Sequence, residues 1–210
     1  MDYRYLNSIT IKDRYPLSLI QKIQDRIQGN IYFTKYNITN IYNCFRIKKD
    51  NEWKTVFRTK YGYYEYTVIP FGLTNISAVF QQFIFSILEK YLDIFVIVYL
   101  DDILVFSKTI EKYIQYNKKI FQKLREAKII LKLKKYEFYI QETDFLEYII
   151  SNRGFSIQKN KIKNILDWPT PKNIKKVQQF IGLYNYYRRS IDGFGKIVVN
   201  LNKLLKKDQK

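Results

Sequence analysis

Two adjacent carboxylates, Asp101 and Asp102, sit between two apolar runs, residues 95–100 and 103–106. Burying either charge without a partner carries a heavy desolvation cost, so both must face water or a cation. An exposed turn also meets that condition, because aspartate favours turns through local hydrogen bonds. A two-residue turn, however, generally takes Gly or Asn for its positive dihedrals, and Asp-Asp fits that need poorly. A requirement that overrides turn preference is the better account of the pair.

The apolar runs predict two strands, with the aspartates as the turn between them. A helix precedes them, its apolar face made by Phe80, Phe83, Ile84, Ile87, Leu88 and Tyr91, with Ser77 or Asn75 as its cap. A second amphipathic helix follows over residues 109–128 and carries Ile110, Tyr113, Ile114, Ile120, Phe121 and Leu124. Upstream, residues 16–27 predict a helix opened by Pro16 and stopped by Gly29. Strands are expected at residues 31–36, 44–48, 53–59 and 64–69, the last two joined by Lys60-Tyr61-Gly62-Tyr63. Downstream, strand signals cover residues 131–138 and 144–151. Trp168-Pro169-Thr170-Pro171 is a linker, and the helix after it places Ile174, Val177, Phe180, Ile181 and Tyr184 on one side. No internal repeat is present. The pattern is α+β with a helical C-terminal module.

Composition narrows the class further. The chain has 210 residues, 47% of them apolar, which supports a sizeable core and argues against wholesale disorder. The single cysteine, Cys44, rules out an internal disulfide and fits a reducing compartment. The longest apolar run, residues 94–100, falls far below the ~20 residues of a membrane helix, and the N-terminus lacks the apolar stretch of a signal peptide. A cytoplasmic or nuclear protein is expected, without a membrane partner. Lys and Arg number 37 against 19 Asp and Glu, giving +18, and such an excess favours a polyanionic partner through counterion release. An AT-rich gene would also enrich Lys, Asn, Ile and Tyr, so charge alone does not decide the matter.

The residues around the carboxylates resemble the reverse transcriptases of Ty3/Gypsy retrotransposons. Tyr99-Leu100-Asp101-Asp102 followed by Ile103-Leu104-Val105-Phe106-Ser107 is similar to that family's active-site hairpin. Pro70-Phe71-Gly72-Leu73-Thr74-Asn75, ending in Phe80-Gln81, resembles its template- and nucleotide-contacting segment, which implies contacts at Phe71, Gly72 and Gln81. Trp53-Lys54-Thr55, Phe57-Arg58-Thr59, Tyr15-Pro16-Leu17, Phe33-Thr34-Lys35 and Asn185-Tyr186-Tyr187-Arg188-Arg189 match in the same order, so the resemblance is nearly end to end. It implies a right-hand polymerase palm with partial fingers and a helical thumb, divided into residues 1–155 and 156–210. It also implies nucleotidyl transfer from deoxynucleoside triphosphates onto a primer paired with an RNA or DNA template. Two Mg2+ ions, or Mn2+ in their place, would clamp the attacking and leaving oxygens, and Asp101 and Asp102 would be two of three carboxylate ligands.

The third carboxylate of the family lies two positions after the lysine of Phe33-Thr34-Lys35, and here that position is Asn37. An amide brings no charge and cannot bridge two cations, so the resemblance implies an impaired site. Tyr42 matches the aromatic under the incoming sugar, and Ile41 beside it replaces a small residue. Ile76 and Ser77 replace a small residue and a proline. In Phe145-Leu146-Glu147, which resembles the primer grip, Glu147 replaces a glycine, and a carboxylate there would be repelled by primer phosphate. Lys134 and Lys135 lie near the family's candidate proton donor to pyrophosphate, and Tyr186 to Arg189 would face the duplex minor groove. Asp to Asn, Gly to Glu and Pro to Ser are each one C-to-T or G-to-A transition, as directional mutation of a repeated copy produces. No counterpart of the family's first finger strand, ribonuclease H or integrase is expected in this chain. The competing readings are a catalytically dead, basic nucleic-acid-binding remnant and a pseudogene product.

Overall fold

Alternation along three neighbouring strands decides what surrounds the two aspartates. The computed structural model describes residues 1–16, 20–38, 45–129 and 136–205. Within the unit Met1–Gln141, helices α1 (Arg4–Ile9) and α2 (Ile20–Ile27) lead to strand β1 (Tyr32–Asn37). The hairpin β2 (Phe57–Thr59) and β3 (Gly62–Tyr64) then precedes α3 (Ile76–Leu88), β4 (Val96–Tyr99), β5 (Asp102–Ser107), α4 (Ile110–Glu126) and β6 (Glu137–Ile140). The sheet runs in the order β4-β5-β1-β6, with β5 antiparallel to both β4 and β1.

The register assigns each side chain to a face. Val96 and Val98 of β4, Ile103 and Val105 of β5, and Thr34 and Tyr36 of β1 share one face. That face packs with Phe80, Ile84 and Leu88 of α3 and Ile120 and Leu124 of α4 into the main core. The other face carries Ile97, Leu104, Phe106 and Phe33 toward one end, and Tyr99, Asp102, Lys35 and Asn37 toward the other. Both helices form where the apolar spacing predicts. Thr109 caps α4 by accepting from the amide of Lys112, which sets its start. Asn75 occupies the cap position of α3, but its side chain is spent elsewhere: it accepts from the amide of Asp13 and donates to the carbonyl of Ile11.

Several expected strands take other forms. Residues 53–59 are not one strand, because Glu52–Thr55 is a 3-10 turn and only Phe57–Thr59 pairs. The Thr55 hydroxyl bonds back to the carbonyl of Glu52 and accepts from the amide of Tyr66, which favours the tight turn over extension. Residues 64–69 pair only briefly: β3 ends at Tyr64, and Val68 then bridges Arg46. The expected strand 44–48 is represented in the described residues by that bridge alone. The loop between β2 and β3 shortens to Lys60-Tyr61, since Thr59 faces Gly62 across the hairpin. Cys44 and residues 130–135 lie outside the described residues, and the strand expected at 131–138 begins at Glu137.

The unit Glu142–Lys210 holds the meander β7 (Glu142–Phe145), β8 (Tyr148–Ser151) and β9 (Gly154–Ile157), followed by α5 (Lys159–Leu166), α6 (Ile174–Tyr186) and α7 (Phe194–Lys203). Among the described residues, the three strands of this unit pair only with one another. The strand expected at 144–151 is a hairpin whose turn is Leu146-Glu147. Residues 168–173 form the extended linker before α6. Among the described residues, no helix is long and apolar enough to cross a membrane.

A buried polar cluster fastens β1 to α4. The Tyr36 hydroxyl donates to Asn117 Oδ1, the Asn117 amide donates to the carbonyl of Tyr113, and the Tyr113 and Thr34 hydroxyls lie 2.6 Å apart. Burial, with nearby Tyr113 and Tyr136, raises the Tyr36 phenol well above its ordinary value. Tyr36→Phe leaves the Asn117 oxygen without its donor and is expected to lower stability by about 1–3 kcal/mol. Urea denaturation measures this, and adding Asn117→Leu is expected to recover part of the loss.

Candidate active site

The β4–β5 hairpin turns on Leu100-Asp101, not on Asp101-Asp102. Tyr99 pairs with Asp102, so Asp102 is the first residue of β5 and only Asp101 stands at the tip. Leu100 carries the positive dihedral that the turn demands, φ +49°, without being Gly or Asn. Three contacts hold this costly conformation. Gln81 accepts from the amide of Leu100 at 2.9 Å and donates to the carbonyl of Val98 at 3.3 Å. From the other side, the amide of Ile38 donates to the carbonyl of Asp101 at 2.9 Å.

Asn37 pairs with Asp102 across β1 and β5, as the candidate three-residue site requires. Its Nδ2 donates to Asp102 Oδ1 at 2.9 Å. Lys35, on the same face two residues earlier, places Nζ 3.6 Å from Asp102 Oδ2. Asp101 and Asp102 are both half-buried at the mouth of the hairpin. The donor set does not fit a pair of divalent cations. It offers two carboxylates and an amide that turns its nitrogen, not its oxygen, toward Asp102. Among the described residues, no group of three His, Cys, Asp or Glu side chains is placed to hold a metal.

The other expected residues divide into three sets. Gln81 is fully buried, and its amide holds the backbone of the hairpin at Val98 and Leu100. Phe71 is 63% exposed, and Gly72 beside it adopts φ +98°, in the segment leading into α3. Asn7 clamps that segment: it donates to the carbonyl of Gly72 at 2.7 Å and accepts from the amide of Thr74 at 2.8 Å. Tyr42, Ile41, Lys134 and Lys135 lie outside the described residues. Asn7 and Lys35 were not singled out from sequence. No motif marks Asn7, whereas Lys35 is detectable from the period of two that puts it on the face of Asn37.

In the second unit, Phe145 is buried, and Leu146 and Glu147 form the turn with φ of +52° and +67°. Glu147 is not left as a bare negative charge. It receives Lys161 Nζ at 2.6 Å and the Tyr187 hydroxyl at 2.9 Å, while the Tyr186 hydroxyl donates to the carbonyl of Leu146. Tyr187 is 1% exposed, so it belongs to this buried tie and not to an exposed duplex-facing surface, while Arg188 and Arg189 remain exposed. The hydrogen bond from Lys161, followed by that from Tyr187, holds the Glu147 carboxyl below its ordinary range against the opposing effect of burial. Burial and then the Glu147 carboxylate raise the Tyr187 phenol.

Residues 1–183 match the family described as "Reverse transcriptase (RNA-dependent DNA polymerase)". The chain therefore belongs to the reverse transcriptase family, and its α+β fold is that of a polymerase palm. It is 38% identical over 208 residues to the Tf2-3 and Tf2-4 transposon polyproteins of Schizosaccharomyces pombe, which are of the Ty3/Gypsy type. The match covers 99% of this chain and 16% of each polyprotein, so the chain spans about a sixth of those relatives. Among solved structures, it resembles a foamy viral protease-reverse transcriptase in complex with double-stranded DNA, with a TM-score of 0.84 and 25% identity over 99% of this chain and 36% of that one. The same viral protein with an RNA/DNA hybrid gives a TM-score of 0.77 at 25% identity, covering all of this chain and 28% of the other.

Two measurements probe these braces. Gln81→Leu strips a buried acceptor from Leu100 and a donor from Val98, and is expected to cost about 1–3 kcal/mol. Hydrogen exchange at the Leu100 amide is expected to quicken more than exchange at amides in α4. Because the Glu147 carboxyl is held low, its ion pair stabilises fully above the ordinary glutamate value of 4.5 and fades as pH falls through the lower folded value. The melting difference between the chain and Glu147→Gln is accordingly expected to shrink between neutral pH and about pH 3.

Proposed function

We propose that this chain is the RNA-directed DNA polymerase segment of a retrotransposon polyprotein, acting on a primer paired with an RNA or DNA template and on deoxynucleoside triphosphates. Divalent cations serve this family's chemistry, and Mg2+, with Mn2+ as a substitute, is the ion that a site with all three carboxylates would take. Catalysis in this copy is impaired. The observation that carries the reading is the register of Asn37 opposite Asp102, with the amide donating at 2.9 Å where a polymerase presents its third carboxylate. A site that loses several kcal/mol of charge stabilisation in the transition state slows by on the order of a thousandfold.

The remaining residues keep assignments that do not depend on a bound ion. Phe71 and Gly72 contact the template or nucleotide, consistent with an exposed ring beside an exposed glycine. Tyr42 lies under the incoming sugar. Phe145, Leu146 and Glu147 grip the primer through their turn, which the tie to Tyr186, Tyr187 and Lys161 keeps in one conformation. The excess of basic residues supplies phosphate contacts.

A second reading, a binding remnant without catalysis, draws on the same Asn37 contact. Primer extension on primed RNA, with Mg2+ and with Mn2+, separates the two. Asn37→Asp is expected to extend the primer about a thousandfold faster than the unaltered chain. Equal rates in the two proteins would refute impairment at this position. Salt-dependent duplex binding with no extension by either protein would favour the remnant.

A further inference from the structure

Asp102 is satisfied on both oxygens by the chain itself. Asn37 lies beside it in the register and Lys35 lies on the diagonal, so one reaches Oδ1 at 2.9 Å and the other stands 3.6 Å from Oδ2. The amide cannot be turned over, because its oxygen at that distance would repel the carboxylate. Lys35 and Asp102 are only 22% and 25% exposed, so their attraction is less screened than that of a surface pair.

We infer that Lys35 and Asn37 together fill the role that a divalent cation plays at Asp102 in a complete polymerase site, so that Asp102 is charge-compensated without metal. The inference rests on the reading of Asp101 and Asp102 as a polymerase's metal-binding pair. Among Lys35, Asn37, Asp101 and Asp102 the formal charges sum to −1. An aspartate at position 37 makes that sum −2 and replaces a donor with a third acceptor facing Asp102. Three such carboxylates need a cation between them or a retained proton. The asparagine removes a ligand and, by the same change, removes the repulsion that makes a metal necessary. Lys35 is a positioning residue in this arrangement: it holds the Asp102 carboxylate in place and neutralises it.

Metal capture can be read without any polymerisation, by titrating Mn2+ and counting the free ion by electron paramagnetic resonance, alongside thermal melting. The unaltered chain is expected to melt within about 1 °C in chelator and in Mn2+, showing no site-specific uptake. Asn37→Asp is expected to melt lower in chelator and to gain about 3–6 °C when Mn2+ exceeds its dissociation constant tenfold. Lys35→Met, which removes the built-in cation and keeps the amide, is expected to bind Mn2+ at least about tenfold more tightly than the unaltered chain. The inference fails if the unaltered chain takes up Mn2+ as tightly as Asn37→Asp and loses that uptake in Asp101→Asn. It fails equally if Lys35→Met leaves the affinity unchanged. Primer extension has no part in this readout, so a negative result leaves the polymerase reading intact, and absent extension leaves this one intact.

Discussion

The burial of one face of a three-strand ribbon is the constraint on which everything else depends. Val96, Val98, Ile103, Val105 and Tyr36 must all meet α3 and α4 to form the core, and they do so only in one register. A slip of one residue would carry Asp102 into that core and expose Ile103, at a cost no hairpin could sustain. Hydrophobic packing on one side of the sheet thus fixes the polar group on the other side, where Tyr99, Lys35, Asn37 and Asp102 gather at one end. The precision of the site is inherited from the core.

Strong periodicity explains which parts were legible beforehand. The strands around Asp101 and Asp102 and the helices α3 and α4 all announce themselves through apolar spacing, and the family motifs follow them in order. What escaped depended on tertiary partners. The turn lies one residue earlier than expected because Leu100 holds a positive dihedral that leucine seldom adopts, and Gln81 and Ile38, both distant in sequence, hold it there. The family resemblance implies a template or nucleotide contact at Gln81, and nothing in its sequence surroundings signals that its amide also ends on the backbone of Val98 and Leu100. Helix α1 is too short for periodicity to develop, and Thr55 turned an expected strand into a 3-10 turn through one hydroxyl.

Two of the turns with non-glycine residues in left-handed backbone follow a common rule. Leu100 in the first unit, and Leu146 with Glu147 in the second, occupy left-handed backbone that costs on the order of 1–3 kcal/mol for each such residue. Each turn is held by side chains remote in sequence: Gln81 for the first, and Tyr186, Tyr187 and Lys161 for the second. Glu147 shows that a residue unsuited to its backbone conformation is tolerated when its side chain gains partners there. A glycine would relieve the strain and lose both the Lys161 and the Tyr187 contacts.

Asn37 applies the same logic to the chemistry. A carboxylate at that position would serve a polymerase, and it would also set three negative groups together within a half-buried mouth. The amide exchanges that repulsion for a hydrogen bond to Asp102 and leaves Lys35 sufficient to neutralise the remaining charge there. Function and stability therefore pull in opposite directions at residue 37, as they commonly do where an active site is built from like charges. A copy relieved of selection for catalysis would lose little by acquiring this asparagine and would gain a better-satisfied hairpin. On the proposed reading of residue 37, the amide satisfies Asp102 in place of a third carboxylate, and the hairpin keeps its register around it.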